Sequence, residues 1–144
     1  MPSPLELAYL AGLIDGEGCI MMRRDGRRRI HQYTLALVVT NEHKGTLEWC
    51  SSLFGGYIYD QSQTQQHHKK IYNWTINSTA AHAVLVAVIP YLQIKKDQAQ
   101  LVIDHWASIR PGLASEIKTQ DLAERRHFVW EKLRELKRKA YVQG

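Results

Sequence analysis

Twice along this chain a helical spacing of apolar residues gives way, across a pair of glycines, to runs that alternate every second residue, and this change of period dictates how the chain can be layered. In the first instance Leu5, Leu7, Leu10, Leu13 and Ile14 recur at helical spacing and Pro4 suits a first turn. With Gly16 and Gly18 stopping the pattern, the spacing predicts a helix over residues 3–15. Tyr33, Leu35, Leu37 and Val39 then alternate with Gln32, Thr34, Ala36, Val38 and Thr40, as in a strand with one face inward. Residues 19–24 supply its partner through Asp25-Gly26 and an arginine-rich loop, because Asp-Gly accepts the positive φ angles of a tight hairpin. The second instance begins with residues 42–54, a short helix carrying Leu47, Trp49, Leu53 and Phe54 and closed by Gly55-Gly56. Residues 57–61 and 69–76 are the strands of the second hairpin, with Tyr72, Trp74 and Ile76 inward, Ile71, Asn73 and Thr75 on the opposite face, and the polar residues 62–68 at the tip.

Helical patterns alone follow. One runs from a cap at Ser78 or Thr79 to Ile89, where Pro90 stops it, and another from about Lys95 to Ile109 on Ala99, Val102, Ile103 and Trp106. A last helix, about Asp121 to Tyr141, lines up Leu122, Val129, Leu133, Leu136 and Ala140 among many Arg, Lys and Glu. The order αββαββα with added C-terminal helices predicts an α+β fold: a four-stranded antiparallel saddle with helices on one face. At 144 residues, 44% of them hydrophobic, there is material for one core, hence one domain over 1–144, with a core of 1–110 and a helical extension over 111–144.

Charge and cysteine usage narrow the function classes. The chain carries +5, so an associated pair would carry +10, a balance that favours a polyanionic partner through counterion release. No stretch of eighteen apolar residues and no secretory pattern is present, so the expected setting is intracellular, without a membrane. Cys19 and Cys50 stand apart with no CxxC pair to point to zinc or dithiol chemistry, which suits a reducing compartment. His67-His68 beside Lys69-Lys70 lacks a neighbouring Cys or acid to complete a metal site.

Within the first helix Ala8, Gly12 and Gly16 fall four residues apart, a flat stripe along which another helix backbone can approach closely. In a soluble protein such a stripe more often marks packing within the chain than a dimer seam. Leu10-Ala11-Gly12-Leu13-Ile14-Asp15-Gly16-Glu17-Gly18, however, resembles the signature of the LAGLIDADG endonucleases at seven of nine positions, with Gly16 keeping a small residue and Glu17 keeping the carboxylate. The preceding Leu7-Ala8-Tyr9, the order of elements, and Pro90-Tyr91-Leu92-Gln93-Ile94-Lys95 followed by Gln98-Ala99 also look like this family, so the resemblance covers most of the chain. It implies a site-specific homing endonuclease that makes a double-strand break in a long, near-palindromic duplex and leaves short 3′ overhangs. Single-motif members dimerise, so it further implies a homodimer joined along Ala8, Gly12 and Gly16. RNA maturases and non-cleaving DNA-binding regulators on the same fold are the alternative class.

Two such helices would bring one Glu17 from each chain together past the negative helix ends. Hard divalent cations relieve that repulsion, taking oxygen ligands from Glu17, the Gly16 carbonyl, phosphate and water. The expectation is therefore two or three Mg²⁺ per dimer, replaceable by Mn²⁺, and no organic cofactor. Lys95 resembles the family's basic residue near the scissile phosphate, Asn41 a polar position that orients water, and Lys44 or Gly45 a position that some relatives fill with arginine. Asp15 is similar to a structural position and stays outside the catalytic set. The free face of the sheet is the expected reader of double-stranded DNA, since a ten-residue strand spans about 33 Å, roughly one duplex turn, and two chains would span about 20 base pairs. Its candidates are Cys19, Met21, Arg23, Arg27, Arg28, Arg29, Gln32, Thr34, Val38, Tyr59, Gln61, Gln63, Lys69, Ile71, Asn73 and Thr75. Lys132, Arg134, Lys137 and Arg138, interleaved with Glu131 and Glu135, form the pattern of solvated ion pairs.

Overall fold

The computed structural model describes residues 1–143 apart from residue 28, residues 62–68 and residues 114–115, with the backbone alone for 141–143. Helix α1, Pro4–Glu17, starts at a reciprocal cap: Ser3 Oγ accepts from the Glu6 amide at 3.2 Å and Glu6 Oε1 from the Ser3 amide at 3.0 Å. It runs two residues past the expected end at Asp15. Gly16 is helical after all, and the stop falls at Gly18, whose amide still donates to the Ile14 carbonyl while its backbone is already extended. A side chain at Gly18 would place Cβ 2.7 Å from that carbonyl oxygen, so only glycine lets the helix pass straight into a strand.

Strands β1 (Gly18–Asp25) and β2 (Gln32–Asn41) form the first hairpin, helix α2 spans Lys44–Phe54, and β3 (Tyr57–Asp60) and β4 (Tyr72–Asn77) form the second. All pairings are antiparallel in the order β1-β2-β4-β3, which brings the long strand β2 and β4 side by side at the centre. Strand β4 begins at Tyr72 rather than Lys69. β3 has four residues, and a bond from the Gln61 amide to the Ile71 carbonyl at 2.8 Å continues its pairing with β4.

Helices α3 (Ser78–Val88), α4 (Lys96–Asp104), α5 (Trp106–Ile109) and α6 (Thr119–Gln143) complete the chain, with a 3₁₀ turn at Ile89–Tyr91. Asn77, not Ser78 or Thr79, is the N-cap of α3. The single helix expected over 95–109 is broken at His105. Its Nδ1 lies 3.0 Å from the Leu101 carbonyl, which already accepts the His105 amide, so a side chain competes for the backbone at the break. The core joins Leu10, Ala11 and Ile14 of α1 to Ile20, Leu35, Leu37, Val39, Trp74 and Ile76 of the sheet and to Val84, Leu85, Val102 and Val129 of the covering helices. Helix α6 docks on the first hairpin through Tyr33, whose hydroxyl is 2.6 Å from His127 Nδ1. Trp130 is flanked there by the guanidinium groups of Arg24 at 4.4 Å and Arg134 at 4.6 Å. Among the described residues, no helix is long and apolar enough to cross a membrane.

Candidate functional site

The segment that leads into α4 meets the C-terminal end of α1, and Asp15 holds the two together. Its carboxylate accepts the backbone amides of Gln93, Ile94 and Lys95 at 2.9, 3.1 and 2.9 Å, fixing the segment that leads into α4. The Lys95 ammonium in turn donates to the Asp15 carbonyl at 2.6 Å. A half-buried cation is thereby seated on the negative end of α1, where helix carbonyls lack intrahelical partners. Two residues further along, Glu17 is exposed and has no hydrogen-bond or ion-pair partner among the described residues. Glu17 and Lys95, far apart in sequence, are thus brought to one helix end.

The donor chemistry fits a hard divalent cation: an exposed carboxylate, without a partner among the described residues, next in sequence to Gly16, whose carbonyl belongs to the last turn of the helix. Among the described residues no group of three His, Cys, Asp or Glu comes together. The stripe next to it is open. Ala8, Gly12 and Gly16 are exposed, and a Cβ at either glycine would meet nothing within 4 Å. Leu5, at 83% exposure, precedes the strip on the same helix, and Ala8 and Gly12 line one shallow groove with Tyr91 and with Ile94, which is 67% exposed.

Asn41 sits at the end of β2, two residues past Val39, the partner of Gly18 in β1. Its Oδ1 accepts the His43 amide at 2.8 Å and so shapes the turn into α2. The Lys44 ammonium lies over the Tyr72 ring, 5.6 Å from its centroid.

The sheet face turned away from the core carries Cys19, Met21 and Arg23 of β1, alternate residues from Gln32 to Thr40 of β2, Tyr57 and Tyr59 of β3, and Asn73 and Thr75 of β4. Arg23, Gln32, Thr34 and Tyr59 are exposed there, and Met21 and Val38 are half-buried. Two expected readers are buried in the sheet. Thr75 is fully buried between its cross-strand neighbours Val38 and Tyr57, and Asn73, 6% exposed, spends its amide on Thr40 Oγ1 at 2.6 Å and on the Tyr59 hydroxyl at 3.0 Å. Small side chains on a central strand sink below larger ones on both sides, which alternation alone does not reveal. Ile71 precedes β4 and is half-buried. Tyr57, overlooked by the sequence reading, shares parity with Tyr59 and is half exposed.

At the hairpin tip Arg27 is held to Asp25 by two guanidinium bonds of 3.0 Å, which also raises its pKa, whereas Arg29 is exposed. Lys69 lies 4.0 Å from Glu42 with both side chains largely in solvent. Gln61 closes the second hairpin at the end of β3. Arg28 and Gln63, and with them His67 and His68, fall outside the described residues. Cys19 is half-buried, with the Lys137 ammonium of α6 3.4 Å from its sulfur.

A family model described as LAGLIDADG endonuclease matches residues 10–102, the span from the start of the motif in α1 to Val102 in α4. No curated protein sequence matches the chain. Among solved structures, the homing endonuclease I-CvuI in complex with a DNA target is 22% identical with a TM-score of 0.62, over 94% of both chains. The archaeal intron-encoded homing endonuclease I-Vdi141I, complexed with DNA, is 14% identical over 96% of this chain and 98% of its own, with a TM-score of 0.64. The meganuclease I-SmaMI is 17% identical over 90% of this chain but 47% of its own, with a TM-score of 0.64. At these identities the likeness establishes the fold.

Proposed function

The chain belongs to the LAGLIDADG endonuclease family, and we propose that it acts as a homodimeric homing endonuclease that makes a metal-dependent double-strand break in a long, near-palindromic duplex. One observation carries this reading: an exposed Glu17, without a partner among the described residues, shares the end of α1 with the seated Lys95 ammonium, next to a bare strip of small residues. A second copy laid along Ala8, Gly12 and Gly16 would bring two Glu17 carboxylates to one centre. Glu17 and the Gly16 carbonyl would hold Mg²⁺, which supplies charge neutralisation and a water acidic enough to attack phosphorus. Lys95, held by its bond to the Asp15 carbonyl, keeps its ammonium at that centre to stabilise charge on the phosphate as the 3′ oxygen leaves. Arg23, Gln32, Thr34 and Tyr59 lie on the face that would meet base edges, and the arginine tip would meet the backbone.

The intact Glu17 and Lys95 pair favours cleavage over a DNA-binding regulator on the same fold. The test is selection of cut sites from a randomised duplex library with Mg²⁺, followed by Glu17→Gln on the selected site. The expected products have short 3′ overhangs, and Glu17→Gln should bind the site without cutting it. Cutting by Glu17→Gln would remove the mechanism.

A further inference from the structure

On α6 the interleaving of basic and acidic residues predicts solvated ion pairs, and Lys132–Glu135 at 3.5 Å and His127–Glu131 at 3.2 Å bear that out. Lys137 does not follow the pattern. It is half-buried, and its only partner among the described residues is the Cys19 sulfur, a weak acceptor with no counter-charge. Lys137 lines a pocket with Gly18, Cys19, Ile94, Lys95 and Gln98, so two ammonium-bearing residues share one cavity whose described lining holds no carboxylate. That cavity adjoins Gly18, the residue after Glu17. Gln98 is 5% exposed and its buried Oε1 has no partner among the described residues, which leaves an acceptor in the same wall for an ammonium or a phosphate-bound water.

We infer that Lys137, carried by the C-terminal helix, is a second phosphate-binding cation of the cleavage centre, acting with Lys95 across the pocket lined by Gln98. Two like charges share a site at low cost when an anion lies between them, and beside Glu17 the anion at hand is the DNA backbone. The C-terminal helix then contributes to the reaction as well as to the fold. The contrasting account is a lysine whose aliphatic stem covers the edge of β1 and whose charge is idle.

The inference rests on the endonuclease reading, and the experiment separates the two. Single-turnover cutting and DNA affinity are measured on the selected duplex for wild type, Lys137→Met, which keeps the stem, and Lys137→Arg, which keeps the charge. Lys137→Met should cut about tenfold to a hundredfold more slowly while its affinity stays within about threefold, and Lys137→Arg should recover most of the rate. A readout independent of cutting and of any variant comes from Cys19: bound duplex should slow its alkylation by iodoacetamide at least severalfold. Cys50, fully buried and with its thiol pushed up to about 11, stays silent. Wild type that cuts, alongside Lys137→Met that cuts equally fast, overturns this inference alone, whatever the rate at which Cys19 alkylates. Wild type that cuts nothing in the library overturns the endonuclease reading and this inference with it.

Discussion

Asp15 and Glu17 are two residues apart at one helix end and serve opposite ends. Asp15 is consumed by structure, accepting three amides in a row, whereas Glu17 accepts nothing among the described residues and is available to a ligand. Charge-assisted bonds of this kind stabilise a fold, so Asp15→Ala should cost about 2–4 kcal/mol in urea melts, with cutting lost only because the Lys95 segment drifts. Glu17→Gln should instead leave the melting curve nearly superimposable on wild type. Cys50 makes a pH prediction. Burial raises its thiol from its ordinary 9.0 to about 11, so the folded state holds a proton that the unfolded state has lost at intermediate pH. The stabilisation is complete below pH 9 and disappears as pH rises to about 11, a loss of roughly 2–3 kcal/mol. Urea melts at pH 8 and pH 11 should show that decline in wild type and a shallower one in Cys50→Ala.

Among the elements, the second hairpin depends most on a single glycine. Gly56 has φ of 87°, and a Cβ there would lie 2.6 Å from the Thr75 carbonyl oxygen and 2.7 Å from Trp74 Nε1, the indole nitrogen that donates to the Gly55 carbonyl at 2.8 Å. Gly56→Ala therefore meets both strained backbone and a clash with the central strand, and about 2–4 kcal/mol of stability should be lost, read by thermal melting. Gly55-Gly56 was legible as a helix stop because any glycine pair after an apolar helix reads so. The close approach to Trp74 was not, since it depends on which strand lies alongside. The same division runs through the molecule. Alternation from Tyr33 to Val39 and the nine residues from Leu10 disclosed the sheet, the leading helix and the place of Glu17, because local period and a contiguous motif do not need tertiary knowledge. The burial of Thr75 and Asn73 depends on the size of cross-strand neighbours, the break at His105 on a side chain bonding its own helix, and the position of Lys137 on how α6 returns to the edge of β1. None of these is written in a local pattern.

At the scale of the whole molecule, the face of α1 decides whether one chain is enough. Leu5 is 83% exposed and Ala8, Gly12 and Gly16 form an open strip, an apolar surface that a solitary chain would leave in water. Glycine inside a helix costs about 0.5–1 kcal/mol relative to alanine, and Gly12 and Gly16 meet nothing within 4 Å that would require their smallness in one chain. Their smallness has a reason only if another backbone comes close. Gly12→Leu should thus leave the helical content of the single chain intact, because its side chain has free space, yet hold two chains apart. In sedimentation at micromolar concentration the wild type should run as a dimer and Gly12→Leu as a monomer, and the variant should fail to cut although Glu17 and Lys95 are untouched. A Gly12→Leu protein that remains dimeric and cuts normally would mean that the two carboxylates meet, if they meet at all, by some other surface, and the strip along α1 would lose its explanation.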